Sequence, residues 1–189
     1  MMIVLEDRKL VILTPPHTAS GNLHRALCSE RFGGRWAIGP TPDGAGFDHH
    51  TIQISEGWKD FQTVLVVRHP LDRLIGLYEH HQEISKQSGW DLIPWWLFVA
   101  QVLERHPDVS WFYHTTIVGL IGNTKVDQII RYETLGSDLE KLMGEPVPMF
   151  EGWVDARVWN AFYDQIGPCC QAEWWGREDM IRWNYQSKV

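Results

Sequence analysis

The sequence predicts an α/β fold in which a parallel sheet is flanked by helices. Short apolar runs bounded by turn residues predict buried strands over 10–13, 64–67 and 126–130. Such runs are typical of parallel strands, because helices cover both faces of a parallel sheet. A helical pattern follows each strand, over 22–31, 71–85 and 137–143 respectively. Strands that alternate with helices favour parallel pairing through right-handed crossovers.

The ends of the predicted helices carry recognisable signals. Pro70 suits the first turn of the second helix, where a missing N–H breaks no hydrogen bond. Ser137 and Glu140 fit a capping box at the start of the third helix, and Gly144 suits its C-terminal stop. Two further helices are predicted over 90–104 and 173–183, and the Gly/Pro-rich stretch 33–44 is predicted to be a surface loop.

Length and composition indicate an ordinary globular protein. The 189 residues fit a single domain over 1–189 that is long enough to bury a sizeable core. A net charge of −7 argues against a nucleic-acid binder, although it leaves room for one local basic pocket. No apolar run approaches the roughly 20 residues of a membrane span, and we expect no signal peptide at the N-terminus.

Residue types with special chemistry add two expectations. The cysteines, Cys28, Cys169 and Cys170, fit neither a disulfide framework nor a zinc-ligand spacing. We therefore expect a reducing, cytoplasmic location and no metal site. The 11 tryptophans are expected mainly to pack in the core or on the surface, with some open to lining a cleft for a ring-shaped group.

A turn of small and hydroxyl residues follows the first predicted strand. It runs over 14–22 and includes His17, Thr18, Ala19, Ser20, Gly21 and Asn22. A strand-to-helix turn aims backbone N–H groups and the positive end of a helix at one point, which favours a phosphate there. The Walker ending Gly-Lys-Ser/Thr is absent. A plain turn capped by Ser20 is the alternative interpretation.

The second predicted strand ends at an arginine. Arg68 lies at its carboxyl end, where open α/β sheets bind their ligands. A guanidinium is permanently charged and suits bidentate phosphate binding. The alternative is that Arg68 pairs with a carboxylate such as Asp72.

Beyond these features, the chain resembles the sulfotransferases that use 3′-phosphoadenosine-5′-phosphosulfate (PAPS), especially the carbohydrate and related bacterial branch. The segments that carry the resemblance are a phosphate loop at 16–23, a Val-Arg-x-Pro segment at 67–78, an Arg-Tyr-Glu-x-Leu strand end at 131–135 with a helix at 138–142, and a closing Asp-x-x-x-aromatic-x-Tyr element at 179–185. Their order matches the family along nearly the whole chain. The resemblance implies a P-loop-like fold, PAPS as cofactor and adenosine 3′,5′-bisphosphate as product.

The resemblance also assigns residues to the cofactor. It implies that the 14–22 loop holds the 5′-phosphosulfate and that Arg68 holds the 3′-phosphate, with Arg73 a weaker candidate. Gly76 stands where the family has a serine for the 3′-phosphate. His17 replaces the family's loop lysine, and a protonated His17 would stabilise the leaving phosphate oxygen.

A histidine doublet supplies the candidate base. His49 and His50 precede Thr51, and in the resembling branch a histidine near this place takes the proton from the acceptor hydroxyl. Imidazole suits that task because its pKa lies near neutral. We expect His50 to be the base, with His49 on the opposite face of an extended segment. A solvated or core-capping doublet is the alternative, and His80 and His81 are expected to pack or lie on the surface.

These observations lead to a functional hypothesis with two alternatives. The resemblance implies a sulfotransferase whose acceptor is a hydroxylated small molecule or a glycan. The net charge and the short apolar runs predict no nucleic-acid partner and no membrane span. One alternative is a nucleotide-binding module on the same fold without catalysis. The other is a P-loop kinase, against which the absent Walker lysine argues.

Overall fold

The computed structural model describes residues 1–37, 39–40, 47–48, 54, 56–105, 115–148, 171 and 175–186. The chain divides into two compact units. The first comprises Met1–Arg68 and Leu120–Glu151, and the second comprises His69–Gly119 and Gly152–Val189.

The described part of the chain contains both strands and α-helices. The strands are β1 (Met2–Leu5), β2 (Leu10–Leu13), β3 (Arg35–Ala37), β4 (Gly39–Pro40), β5 (Phe47–Asp48), β6 (Gln62–Val67) and β7 (Gln128–Arg131). The helices are α1 (Ser20–Leu27), α2 (Pro70–Ser88), α3 (Trp95–Leu103), α4 (Ile117–Ile121), α5 (Leu135–Met143) and α6 (Arg177–Trp183). The protein is thus an α/β protein, as the sequence predicts.

The first unit contains a mixed five-stranded sheet with the order β3-β1-β2-β6-β7. The three predicted strands are confirmed, and β2, β6 and β7 pair in parallel. The expectation of a wholly parallel sheet is wrong, because β1 pairs antiparallel with both β2 and β3. The short 3₁₀ turn Glu6–Arg8 joins β1 to β2, and a connection of that length permits only antiparallel pairing.

The core of the first unit lies around its central strands. β1 and β2 are buried along their whole length, and β6 is buried from its second residue onward. Helices α1 and α5 each bury one face, formed by Leu23, Ala26 and Leu27 in α1 and by Leu135, Leu139 and Met143 in α5. Removing these side chains from water is the main favourable term for the unit.

Three local predictions in the first unit need correction. Within the predicted loop 33–44, Arg35–Ala37 pairs with β1 as a short strand. Helix α1 ends at Leu27, earlier than predicted, and the Leu27 carbonyl accepts a hydrogen bond from Gly34 N at 2.8 Å. The capping box at Ser137 is wrong because α5 begins two residues earlier, and the Ser137 hydroxyl donates to the Thr134 carbonyl at 3.0 Å. Gly144 ends α5 as predicted, with φ of 70°.

The second unit is helical in its described part. Pro70 opens α2 as predicted, and the His69 ring accepts a hydrogen bond from Leu71 N at the helix start. Apolar residues of α2 and α3 form one cluster of Leu71, Leu74, Ile75, Leu77, Trp95, Phe98, Val99 and Val102. The predicted helix over 90–104 begins only at Trp95, because Pro94 occupies its N-cap in an extended conformation.

A buried carboxylate ties α6 to the start of α4 in the second unit. Asp179 is 0% exposed, and its two oxygens accept hydrogen bonds from Ile117 N and Val118 N at 2.7 Å each. Burial raises the pKa of Asp179, while the Val118 N–H, the Arg73 charge and the Ile117 N–H oppose that rise. None of the described helices has the length and apolar character needed to cross a membrane.

Candidate phosphate-binding site

The loop between β2 and α1 is shaped by hydrogen bonds of its own. Thr14 donates to the Met1 carbonyl from its backbone N at 2.8 Å and from its hydroxyl at 3.2 Å. Thr18 donates to the Pro15 carbonyl in the same double manner, at 3.2 and 2.7 Å. Both threonines are 0% exposed. The Thr18 hydroxyl therefore closes the turn.

The backbone of the loop adopts left-handed conformations at two positions. His17 has φ of 61° and Ala19 has φ of 69°. Non-glycine residues rarely adopt such angles. Alternation of left-handed and right-handed residues turns successive N–H groups toward one side and forms a concave anion-binding nest. The geometry of this loop is of that kind.

Helix α1 begins directly after this turn. The first hydrogen bond inside the helix is donated by Leu23 N to the Ala19 carbonyl at 3.0 Å. The backbone N–H groups of Ala19, Ser20, Gly21 and Asn22 precede it. Such N–H groups have no carbonyl within the helix to bond, and they carry its partial positive charge. They form the anion-attracting end of the element.

Ser20 does not cap α1. The N-cap is Ala19, and no side-chain hydrogen bond caps the helix there, so the predicted cap by Ser20 is wrong. Ser20 and Asn22 are half-buried, and Gly21 is exposed with open space where a Cβ would lie. Backbone at these positions is therefore open to a ligand's close approach.

Arg68 lies against this loop. It follows β6, which is the parallel neighbour of β2, and its side chain is 4% exposed. Its Nη1 donates to the His17 carbonyl at 2.8 Å. Its guanidinium carbon lies 4.0 Å from the ring centroid of Tyr132. The arginine is thus fixed between the loop and an aromatic ring, with its charge held at the carboxyl edge of the parallel strands.

Tyr132 contacts Arg68 although the sequence predicts no role for it. β7 ends at Arg131, which pairs in register with Val67, and Tyr132 is the next residue. The carboxyl ends of β2, β6 and β7 therefore bring together the loop, Arg68 and Tyr132. The position of Tyr132 just past a predicted parallel strand is the signal that points to it.

Other predicted site residues lie elsewhere in the chain. Arg73 and Gly76 lie on α2 in the second unit. Arg73 is 0% exposed, donates to the Thr115 carbonyl at 2.9 Å and lies over the ring of Trp175 at 5.5 Å. These contacts give Arg73 a structural part in the second unit.

The histidine doublet predicted to supply the base belongs to a part of the chain that is not described. His49 and His50 lie outside the described residues. Within the part of the chain that is described, no group of three or more His, Cys, Asp or Glu side chains is placed to hold a metal ion. No family model, no curated protein and no solved structure matches this chain.

Proposed function

We propose that this protein is a sulfotransferase that moves a sulfuryl group from PAPS to a hydroxyl acceptor. The observation that carries the proposal is the contact of Arg68 with the His17 carbonyl at 2.8 Å. It fixes a permanent cation beside a loop whose backbone N–H groups and helix end attract anions. A nucleotide with two separate phosphate groups suits such a pair of features.

Each feature has a part in the proposed binding mode. The N–H groups of residues 19–22 would hold the 5′-phosphosulfate. Arg68 would hold the 3′-phosphate while keeping its bond to the loop, and Tyr132 would keep the guanidinium in place. Because these groups are positioned before the ligand arrives, binding requires little loss of conformational entropy in the protein.

The proposed reaction needs one proton acceptor and one stabilised leaving group. The acceptor's hydroxyl oxygen attacks sulfur, and the bond between sulfur and the 5′-phosphate oxygen breaks. His50 takes the hydroxyl proton, and a protonated His17 donates to the departing phosphate oxygen. The products are a sulfate ester of a small molecule or glycan and adenosine 3′,5′-bisphosphate.

A second candidate is a nucleotide-binding module that does not catalyse transfer. The Thr18 hydroxyl donates its proton to the Pro15 carbonyl, and His17 stands where the resembling family has a lysine. Both features weaken the case for transfer without weakening the case for binding. Fold and loop geometry alone do not decide between the two.

The test separates binding from transfer. Calorimetry should show that adenosine 3′,5′-bisphosphate binds more tightly than ATP with magnesium, GTP, or adenosine 5′-monophosphate, which lacks the 3′-phosphate. Labelled PAPS is then offered with a panel of hydroxylated acceptors, and labelled sulfate esters are sought.

Equal or tighter binding of ATP would overturn the whole proposal and favour a kinase. Bisphosphate binding with no transfer to any acceptor, and no PAPS consumption, would favour the binding module. Equal affinity for adenosine 5′-monophosphate and adenosine 3′,5′-bisphosphate would show that Arg68 does not bind a 3′-phosphate.

A further inference from the structure

A cavity in the second unit lies among residues that the proposed function does not use. Its volume is about 440 Å³, and it is lined by His81, Ser85, Trp90, Asp91, Ile93 and Gln101. Small-molecule sites commonly have volumes of about 300–1,000 Å³. All six residues belong to the second unit, whereas the phosphate-binding loop and Arg68 belong to the first.

The segment that carries Trp90, between α2 and α3, is held in place by hydrogen bonds to α2. Gly89 ends that helix with φ of 70°, and Trp90 N donates to the Ser85 carbonyl at 2.9 Å. Three residues further along, the Ile93 carbonyl accepts a hydrogen bond from the Tyr78 hydroxyl at 2.9 Å. The segment between α2 and α3 is therefore positioned without a ligand.

Trp90 and Asp91 give the cavity its chemistry. The Trp90 side chain is 62% exposed although it lines a cavity, so its indole is accessible to a ligand. Of the six lining residues, Asp91 alone carries a formal charge, and that charge is negative. An accessible indole beside a carboxylate is the combination that binds an organic cation, since the ring face and the carboxylate both attract positive charge.

His81 reinforces this preference. Its ring packs against Phe98 with centroids 5.4 Å apart. Burial, and then the neighbouring His80, lower the pKa of His81 below its usual value, which favours the neutral ring. A neutral imidazole does not repel a cation, and with Gln101 and Ser85 it offers hydrogen bonds to polar groups of the ligand.

We propose that this cavity binds a small organic ammonium ion, with Trp90 contacting the cationic head and Asp91 pairing with its charge. The inference is independent of the proposed sulfotransferase function, because it uses no residue of the loop or of Arg68. A neutral sugar, which can also stack on an indole, is the competing ligand class that the experiment separates.

The experiment compares choline with its neutral isostere 3,3-dimethyl-1-butanol and with methyl glucoside. Binding is followed by calorimetry and by Trp fluorescence. Choline should bind, and the isostere should bind about tenfold more weakly, because it has the same shape without the charge. Trp90→Ala and Asp91→Asn should each weaken choline binding by about fivefold or more.

Trp96→Ala is the matched control. Trp96 is a similarly exposed tryptophan, at 57%, and it does not line the cavity. Its replacement should leave choline affinity unchanged. Both Trp90 and Asp91 are exposed, so their variants should keep the thermal stability of the parent; if Trp90→Ala fails to fold, Asp91→Asn carries the test.

Three results would overturn the inference. They are the absence of choline binding, equal binding of choline and its neutral isostere, and preferential binding of methyl glucoside. A loss of choline affinity in Trp96→Ala as large as in Trp90→Ala would also refute the assigned location.

Discussion

Replacing Arg68 with methionine separates its contact with the loop from its contact with a ligand. Methionine keeps the length of the side chain and removes the charge and its donors. The lost bond to the His17 carbonyl has a charged donor, and such bonds contribute about 1.5–3 kcal/mol to stability. The lost contact with the Tyr132 ring adds about 0.5–2 kcal/mol.

The net effect on stability is smaller than the sum of these two contributions. Arg68 is 4% exposed, so its removal also relieves the cost of keeping a charge away from water. We expect Arg68→Met to lower the free energy of unfolding in urea by about 1–3 kcal/mol, with the fold retained. Binding of adenosine 3′,5′-bisphosphate to the folded protein should weaken by roughly 10–150-fold, the equivalent of one charge-assisted contact.

Two control variants make the result interpretable. Tyr132→Leu removes the ring and leaves the guanidinium bonded to His17, so it should cost stability with a smaller effect on affinity. Arg68→Lys keeps the charge and should restore part of the affinity. If Arg68→Met loses stability but binds the bisphosphate within twofold of the parent, the arginine only holds the loop, and its assignment to the 3′-phosphate is refuted.

Four further predictions concern other residues, some of them with a matched control variant. His17→Lys should keep or improve the affinity for the bisphosphate, because Arg68 bonds the backbone carbonyl at this position and the new side chain adds a cation. A large loss of affinity by calorimetry, with the fold intact, would contradict this expectation. His50→Ala should lower the sulfuryl-transfer rate by about 10²–10⁴-fold with bisphosphate affinity unchanged, while His49→Ala stays active; full activity of both would exclude the doublet as the base. Asp179→Asn should lower the free energy of unfolding by about 1–3 kcal/mol, because one of the two backbone N–H groups then lacks a carboxylate oxygen. The control Glu178→Gln changes an exposed neighbour and should leave the free energy of unfolding unchanged. Gly176→Ala should lower the free energy of unfolding in urea by about 1–3 kcal/mol, because the new Cβ would lie 2.1 Å from Pro70 Cβ. The control Gly57→Ala places its Cβ where no atom lies within 4 Å, so it should leave the free energy of unfolding unchanged.

The strands that the sequence predicts well are those with local signals. β2 and β6 are apolar runs between turn residues, and their burial follows directly from that pattern. β1 is also an apolar run, Met2–Leu5, and charged residues separate it from β2. Two apolar runs on either side of a charged turn indicate a hairpin. The wholly parallel expectation fails because it leaves β1 out.

The site is predictable only in its separate parts. The loop and Arg68 can each be found from sequence, since both follow a predicted strand. The bond between them joins a side chain to a backbone carbonyl 51 residues away, and no residue pattern encodes it. The left-handed angles at His17 and Ala19 are likewise hidden, because glycine, the usual marker of such angles, is absent from both positions.

The separation of Arg68 from His17 along the chain has a consequence for the order of folding. The loop and α1 are formed from neighbouring residues, whereas the parallel pairing of β2 with β6 joins Leu10 to Gln62, and that of β6 with β7 joins Val64 to Gln128. Such distant pairings close late, because the loop-closure entropy must be overcome first. We therefore expect the Arg68 contact to form late in folding, so that its loss accelerates unfolding and leaves the refolding rate almost unchanged.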